Sequence, residues 1–146
     1  MKKTFLVLTI IALGFAACKK SNNDNPSSVT TTAVNSTVTS GTWRVTFFSD
    51  NGTNETGNFS GFNFTFATSG TVAAANSLFT VSGTWNIAVS SDSKVKLTMN
   101  FPAPSVSAFL DLNEDWHVTA RTDTKVTMQH VSGGGGGTDY LTIEKN

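Results

Sequence analysis

The sequence predicts an all-β protein, an eight-stranded antiparallel up-and-down barrel with one short helical turn near residues 105–112. Apolar and polar residues alternate with a period of two over eight segments, which is typical of strands with one buried face. The 146 residues include 23 Thr and 16 Ser, which favour strands and turns over long helices. Most connections between the segments have hairpin length, and a meander that closes on itself leaves no exposed edge.

Size and charge limit the function. A chain of 146 residues fits one domain, which argues against a multidomain enzyme. Lys and Arg together number 10, and Asp and Glu together number 10, so the basic excess of a nucleic-acid-binding protein is absent. We therefore expect no nucleic-acid partner, and we favour a monomer.

Residues 1–17 are predicted to be a signal peptide. Lys2 and Lys3 precede the mostly apolar stretch 4–15, whose twelve residues are too few for the roughly 20 of a spanning helix. Small residues then lead into Cys18, the only cysteine of the chain. This junction resembles the bacterial lipobox, in which the new N-terminal Cys is lipidated. The alternative is an ordinary secretory cleavage site followed by an incidental Cys.

The lipobox resemblance implies a protein held on a lipid bilayer through acylated Cys18, because each buried CH₂ of an acyl chain contributes about 0.8 kcal/mol. Lys19 occupies the position where an Asp would retain a lipoprotein at the inner membrane. We therefore expect localisation in the cell envelope, at the outer membrane. The side of that membrane on which the domain lies stays open.

Residues 18–40 are predicted to be the lipidated Cys followed by a flexible tether. After Lys19 and Lys20 the segment is rich in Ser, Thr and Asn, and it contains no aromatic residue. Such a composition buries too little apolar surface to offset the entropy of ordering the chain. The folded domain is accordingly expected to span residues 41–146.

The barrel strands follow from the alternation. The helical turn is expected after Pro102 and Pro104, because proline cannot donate to a strand ladder. The glycine run 133–137 is read as a loop, since no phosphate-binding signature follows it. The predicted strands are 43–47, 62–66, 71–75, 79–87, 95–101, 116–121, 125–131 and 140–145.

A succession of motifs then resembles the lipocalin-like domains of Gram-negative bacterial lipoproteins. The motifs are Gly41-Thr42-Trp43-Arg44-Val45, Asp50-Asn51-Gly52, Gly61-Phe62-Asn63-Phe64-Thr65-Phe66, Gly83-Thr84-Trp85, Leu112-Asn113-Glu114-Asp115-Trp116 and Thr138-Asp139-Tyr140-Leu141. The resemblance covers residues 41–146 and implies an eight-stranded barrel. Lipocalins pair the first-strand Trp with an Arg late in the barrel, but the last strand here has no Arg. Arg121 is the nearest substitute.

The inward-facing positions define the candidate interior of the barrel. An eight-stranded barrel either is filled by its own side chains or holds one small ligand. The candidate residues lining the interior, or a ligand in it, are Trp43, Phe47, Phe62, Phe64, Phe66, Phe79, Trp85, Phe101, Trp116 and His130. Two functions stay open: binding a small hydrophobic ligand inside the barrel, or engaging a protein or glycan through the loops.

The two histidines are the obvious candidates for chemistry. If residues 122–124 form a three-residue loop, Val118 faces Met128 and Ala120 faces Val126, which keeps apolar residues on one face. His130 then faces the interior opposite Trp116, while His117 faces solvent. We therefore expect no metal site, no cofactor and no catalytic residue, and we expect the protein not to be an enzyme.

Overall fold

The computed structural model describes residues 27–132 and 136–146. The predicted signal peptide, Cys18 and the first part of the predicted tether lie outside these residues, as do Gly133, Gly134 and Gly135.

The predicted fold class is confirmed, because eight antiparallel strands close into a barrel. Among the described residues the sheet has nine strands, and the second is a two-residue extension of a hairpin at the end of the first. Pairing of the first strand with the last closes the barrel. The strands are β1 (Trp43–Asp50), β2 (Thr53–Asn54), β3 (Asn63–Phe66), β4 (Thr71–Ala75), β5 (Thr80–Val89), β6 (Val95–Asn100), β7 (Asp115–Arg121), β8 (Lys125–Val131) and β9 (Thr138–Lys145).

Two short 3₁₀ helices lie at one end of the barrel. The first, Thr56–Phe59, follows β2, and the second, Ser107–Leu112, confirms the helical turn predicted near 105–112. The strands run alternately up and down, so these helices, the β4–β5 turn and the β8–β9 connection lie at the same end. We call it the distal end.

The predicted flexible tether is wrong for residues 31–38, which form the helix α1 (Thr31–Val38). The Thr30 hydroxyl caps this helix by accepting from the Ala33 N–H at 3.2 Å. Val34 and Val38, four residues apart on one face, have no exposed surface. Val34, Thr37 and Val38 form the buried face by which the helix docks, although the composition of the segment is that of a linker. We call the opposite end of the barrel, which α1 covers, the α1 end.

A β-bulge in β1 reverses one predicted interior position. Val45 pairs with Ile143 and Phe47 with Thr142, so Thr46 is an extra residue in the strand. The bulge turns Phe47 outward, 39% exposed, and Phe48 inward, 1% exposed. The prediction of Phe47 as an interior residue is therefore wrong.

Phe79 was also predicted to lie in the interior, but it is 44% exposed. Strand β5 begins one residue later, at Thr80, and Phe79 belongs to the β4–β5 turn. The side-chain oxygen of Asn76 accepts hydrogen bonds from the Leu78 and Phe79 N–H groups at 2.9 and 2.7 Å. This Asn-centred turn accounts for the error, because the alternation was extended into it.

The β7–β8 register agrees with the prediction at Val118, which pairs with Met128. Beyond it, a bulge at Thr119 makes Ala120 pair with Thr127 instead of the predicted Val126. Arg121 consequently pairs with Val126, and its side chain turns toward α1, where its Nη1 donates to the Thr37 hydroxyl at 2.6 Å.

Candidate functional site

The barrel interior is the first candidate site, and aromatic side chains fill it. Phe109, on the second 3₁₀ helix, lies at the centre of this packing. Its ring centroid lies 5.5, 5.0, 5.7 and 5.1 Å from four other rings, mostly in edge-to-face contact. These four rings are Phe59, Phe62, Phe64 and Phe101.

Burial shows how closely these side chains are packed. A side chain that bordered an internal space large enough for water would keep some accessible surface. Trp43, Phe101, Phe109 and Trp116 each have 0% exposure. Interior residues from the other strands also have none, namely Val72, Ala74, Leu97, Val126, Met128 and Leu141. In the described part of the chain, the space beside these side chains is too small for a water molecule, and therefore for an organic ligand.

The predicted interior residues divide accordingly. Seven of them are buried, with exposures of 7% or less: Trp43, Phe62, Phe64, Phe66, Trp85, Phe101 and Trp116. Sequence reasoning missed Phe48, Phe59, Phe109 and Leu112 as interior residues. The bulge in β1 turns Phe48 inward. The other three residues lie on the 3₁₀ helices, whose sequences do not alternate with a period of two. Among residues 27–132 and 136–146, every buried side-chain nitrogen or oxygen has a hydrogen-bond partner. No such atom there is left for a ligand to bond.

Helix α1 closes its end of the barrel through Trp43. The indole Nε1 donates to the Val38 carbonyl oxygen at 2.9 Å. The ammonium group of Lys145 lies 5.4 Å from the centre of the indole ring, within the range of a cation–π contact. The cation on the first-strand Trp therefore comes from Lys145 on the last strand, while Arg121, the substitute suggested by the sequence, bonds α1 instead.

The distal end is also closed. The indole Nε1 of Trp116 donates to the Leu112 carbonyl oxygen at 3.1 Å. The side-chain amide of Asn113 accepts from the Phe101 N–H at 2.6 Å and donates to the Phe101 carbonyl at 3.3 Å. These bonds tie the second 3₁₀ helix to β6 and β7, and they hold Phe109 in the interior.

Among the described residues, His130 makes the closer of two contacts between a histidine and a carboxylate. Its Nε2 lies 3.3 Å from Glu114 Oε2, its Nδ1 lies 3.3 Å from the Asp115 carbonyl oxygen, and its side chain is 18% exposed. The ring contacts Trp116 edge-on at 6.2 Å. The two contacts connect the His130 ring with the start of β7. The geometry is that of a structural tie between β7 and β8.

His117 does not join His130. It pairs with Gln129 across the sheet and so lies on the outer face, where its Nδ1 is 4.0 Å from Asp92 Oδ2. Within the described ranges no three His, Cys, Asp or Glu side chains are grouped as metal ligands would be.

The charged residues are divided between the two ends of the barrel. All six Lys and Arg residues of the described chain lie on or beside turns at the α1 end: Arg44, Lys94, Lys96, Arg121, Lys125 and Lys145. Three acidic residues accompany them and form ion pairs there, namely Asp92, Asp123 and Glu144, and Lys96 pairs with Asp115 at the start of β7. The distal end carries the acidic residues Asp50, Glu55, Asp111, Glu114 and Asp139.

Carboxyl pKa values reflect these surroundings. Partial burial, followed by repulsion from Asp50, raises the pKa of Asp111 at the distal end. Asp115, the first residue of β7, pairs with Thr98 of β6. A hydrogen bond from the Thr98 hydroxyl and the nearby Lys96 ammonium reduce the pKa of Asp115. Negative charge at the distal end is thus partly uncompensated.

In the described part of the chain, possible sites include three surface depressions. One of about 360 Å³ lies between α1 and β5 beside Trp85 and Asn86, and one of about 320 Å³ lies at the α1 end beside Lys125 and Lys145. The third, of about 520 Å³, lies at the distal end beside Leu110 and Asp111. All three are on the outside of the barrel.

Comparison with known proteins supports the fold. The crystal structure of a DUF4847 family protein from Bacteroides vulgatus ATCC 8482 matches with a TM-score of 0.52 at 19% sequence identity. The match covers 77% of this chain and 97% of that protein, and at this identity the likeness concerns the fold alone. No protein-family model matches the chain, and no curated protein matches it significantly. Among the described residues, no helix combines the length and apolar character needed to cross a bilayer.

Proposed function

We propose that this protein is a lipid-anchored component of the cell envelope whose barrel is a non-catalytic interaction module. The filled interior carries the proposal. Phe109 and its neighbours leave no space for water beside them, which supports binding on the outer surface. The leader and Cys18 support the anchor, and Lys19 supports placement at the outer membrane.

The distal end is the proposed binding surface, and its partner is a protein with a basic surface. Three apolar side chains are exposed on its loops, namely Leu78 at 80%, Phe79 at 44% and Leu110 at 49%. Leu110 borders the 520 Å³ depression together with Asp111. Exposed apolar groups surrounded by one sign of charge are typical of protein-binding surfaces.

The anchor is tested by replacing Cys18. Wild-type protein is expected in the membrane fraction of the producing cell, and Cys18→Ser is expected in the soluble fraction. Ser21→Ala, which keeps the thiol, is the matched control and should remain with the membrane. Unchanged membrane association of Cys18→Ser would overturn the anchor.

The binding surface is tested with a photo-crosslinking amino acid placed at Leu78 or Leu110 in cells. We expect an adduct of defined mass that protease removes and that Asp111→Lys weakens. The same amino acid at Ser82, exposed on the wall of the barrel, is the control. Equal adducts at Ser82, or no adduct at either leucine, would contradict the proposal. An adduct that is removed by glycosidase and resists protease would indicate a glycan instead.

A further inference from the structure

The chain enters the barrel at its basic end. The Ser27 N–H donates to the Arg121 carbonyl oxygen at 2.9 Å, and the Arg121 Nε donates to the Ser28 carbonyl oxygen at 3.5 Å. Ser27 is nine residues after Cys18. At 3.3–3.6 Å per residue, nine residues reach at most about 30 Å. A lipid on Cys18 would therefore keep the α1 end within about 30 Å of the membrane.

The charges of that end suit an anionic surface. Its six basic residues outnumber its three acidic residues together with Asp115, which pairs with Lys96, whereas the five acidic residues at the distal end have no described Lys or Arg among them. Three of these basic side chains are well exposed, namely those of Arg44, Lys94 and Lys125 at 50%, 57% and 50%, whereas Lys96 and Arg121 are 27% and 11% exposed. The barrel is thus an electric dipole with its positive end on the side of the predicted anchor.

The α1 end also has a concave site of suitable chemistry. The depression of about 320 Å³ is lined by Thr122, Thr124, Lys125, Glu144 and Lys145. Lys125 Nζ bonds Glu144 Oε1 at 3.1 Å, and Lys145 Nζ contacts the Ser40 hydroxyl at 3.3 Å. The two ammonium groups outnumber the single Glu144 carboxylate, and two threonines add hydroxyl donors, so the depression suits a phosphodiester group, which accepts hydrogen bonds and carries one negative charge.

We infer that the α1 end docks on the anionic phospholipid headgroups of the membrane that holds the anchor, with a headgroup phosphate in the depression between the β7–β8 turn and the end of β9. Docking holds the acidic distal end away from the bilayer, so that a partner protein can reach the distal end. The inference rests on the proposed function for the position of the anchor, and it adds a second, electrostatic contact with the lipid.

The test uses the mature chain, which contains every described residue. Its only thiol, Cys18, is coupled to a maleimide-bearing lipid in nanodiscs made of phosphatidylcholine with or without phosphatidylglycerol. A lipid-bound gadolinium chelate then broadens the NMR signals of amides near the bilayer. In phosphatidylglycerol discs we expect strong broadening at residues 122–125 and little at residues 53 and 77. In phosphatidylcholine discs, or at high salt, this contrast should fall.

Two variants with equal net charge separate docking from general attraction. Lys94→Gln with Lys125→Gln removes two positive charges from the α1 end, and we expect the ratio of docked to undocked barrel to fall roughly 30-fold, at about 1 kcal/mol per lysine. Thr53→Glu with Ser77→Glu adds two negative charges at the distal end, where both positions are exposed, and should leave docking unchanged.

Three results would overturn the inference: the same contrast with and without phosphatidylglycerol, stronger broadening at the distal end, or equal loss in both variants. Chemical coupling supplies the anchor in this experiment, so its outcome is independent of lipidation in the cell. A failure of the proposed anchor would appear only in the fractionation of Cys18→Ser.

Discussion

The indole N–H of Trp43 donates to the main-chain oxygen of Val38, 2.9 Å away, and this buried bond connects helix α1 to the first barrel strand. Trp43 has no exposed surface, and Lys145 lies over its ring. The bond joins the segment that leads from the predicted anchor to the strand that closes the barrel. Helix and barrel should therefore unfold together.

Trp43→Phe keeps an aromatic ring but removes the donor to Val38. The carbonyl is then buried without this partner, and we expect a loss of about 1–3 kcal/mol in the free energy of unfolding. Urea denaturation followed by circular dichroism measures it. Asn35→Ala, at an exposed position of α1, is the control and should change stability little. A Trp43→Phe variant as stable as the control would show that the helix is not held by this bond.

Gly83 lies inside β5 at a position that admits no side chain. A Cβ there would overlap the Asn100 carbonyl oxygen and lie 2.8 Å from a ring carbon of Phe101. We expect Gly83→Ala to cost about 1–3 kcal/mol, because β6 must move away. Gly57→Ala is the matched control, since nothing lies within 4 Å of its added Cβ. Thermal denaturation compares them, and equal melting temperatures would contradict the close approach of β5 and β6.

Asp111 makes the free energy of unfolding depend on pH. Burial and Asp50 raise its pKa in the folded protein above the ordinary value of 3.8, so its ionised form is less favourable in the folded than in the unfolded state. The resulting destabilisation is absent below the ordinary pKa and appears as the pH rises through the folded-state value. We therefore expect Asp111→Asn to be more stable than wild type at pH 7 and equal to it in strong acid.

Urea denaturation at several pH values measures this difference for Asp111→Asn and wild type. Glu55→Gln, which removes another carboxylate at the distal end, serves as the control. A stability gain of Asp111→Asn that persisted unchanged in acid would contradict an electrostatic origin.

Much of the barrel could be predicted from alternation alone. The predicted bounds 71–75 and 125–131 coincide with β4 and β8, because each strand has a regular apolar face bounded by turns. The predicted orientation of Phe47 and the predicted partner of Ala120 are wrong, because a bulge inserts one residue into a strand without a visible change in the alternation of apolar and polar residues. Helix α1 escaped prediction because its burial depends on Val34 and Val38 meeting the barrel, which is a tertiary effect.

The two-ended charge distribution could have been found from the sequence. Once the strands are predicted to alternate in direction, each turn is assigned to one end of the barrel. Lys94 and Lys125 lie beside turns at the α1 end, whereas Asp50 and Asp111 lie beside connections at the distal end. The net charge concealed this arrangement, because opposite ends cancel in the sum.

Side chains fill the barrel interior, and the proposed binding site is therefore on the surface. The most direct measurement is a titration of the mature wild-type chain with the apolar fluorescent probe 1-N-phenylnaphthylamine. Phe109→Ala and the milder Phe109→Leu serve as comparisons, because removing this ring opens an apolar cavity of the kind that stays dry and accepts small hydrophobic molecules. We predict no saturable binding by wild type and saturable binding by at least one variant. Saturable one-to-one binding by the wild-type protein would contradict a filled interior.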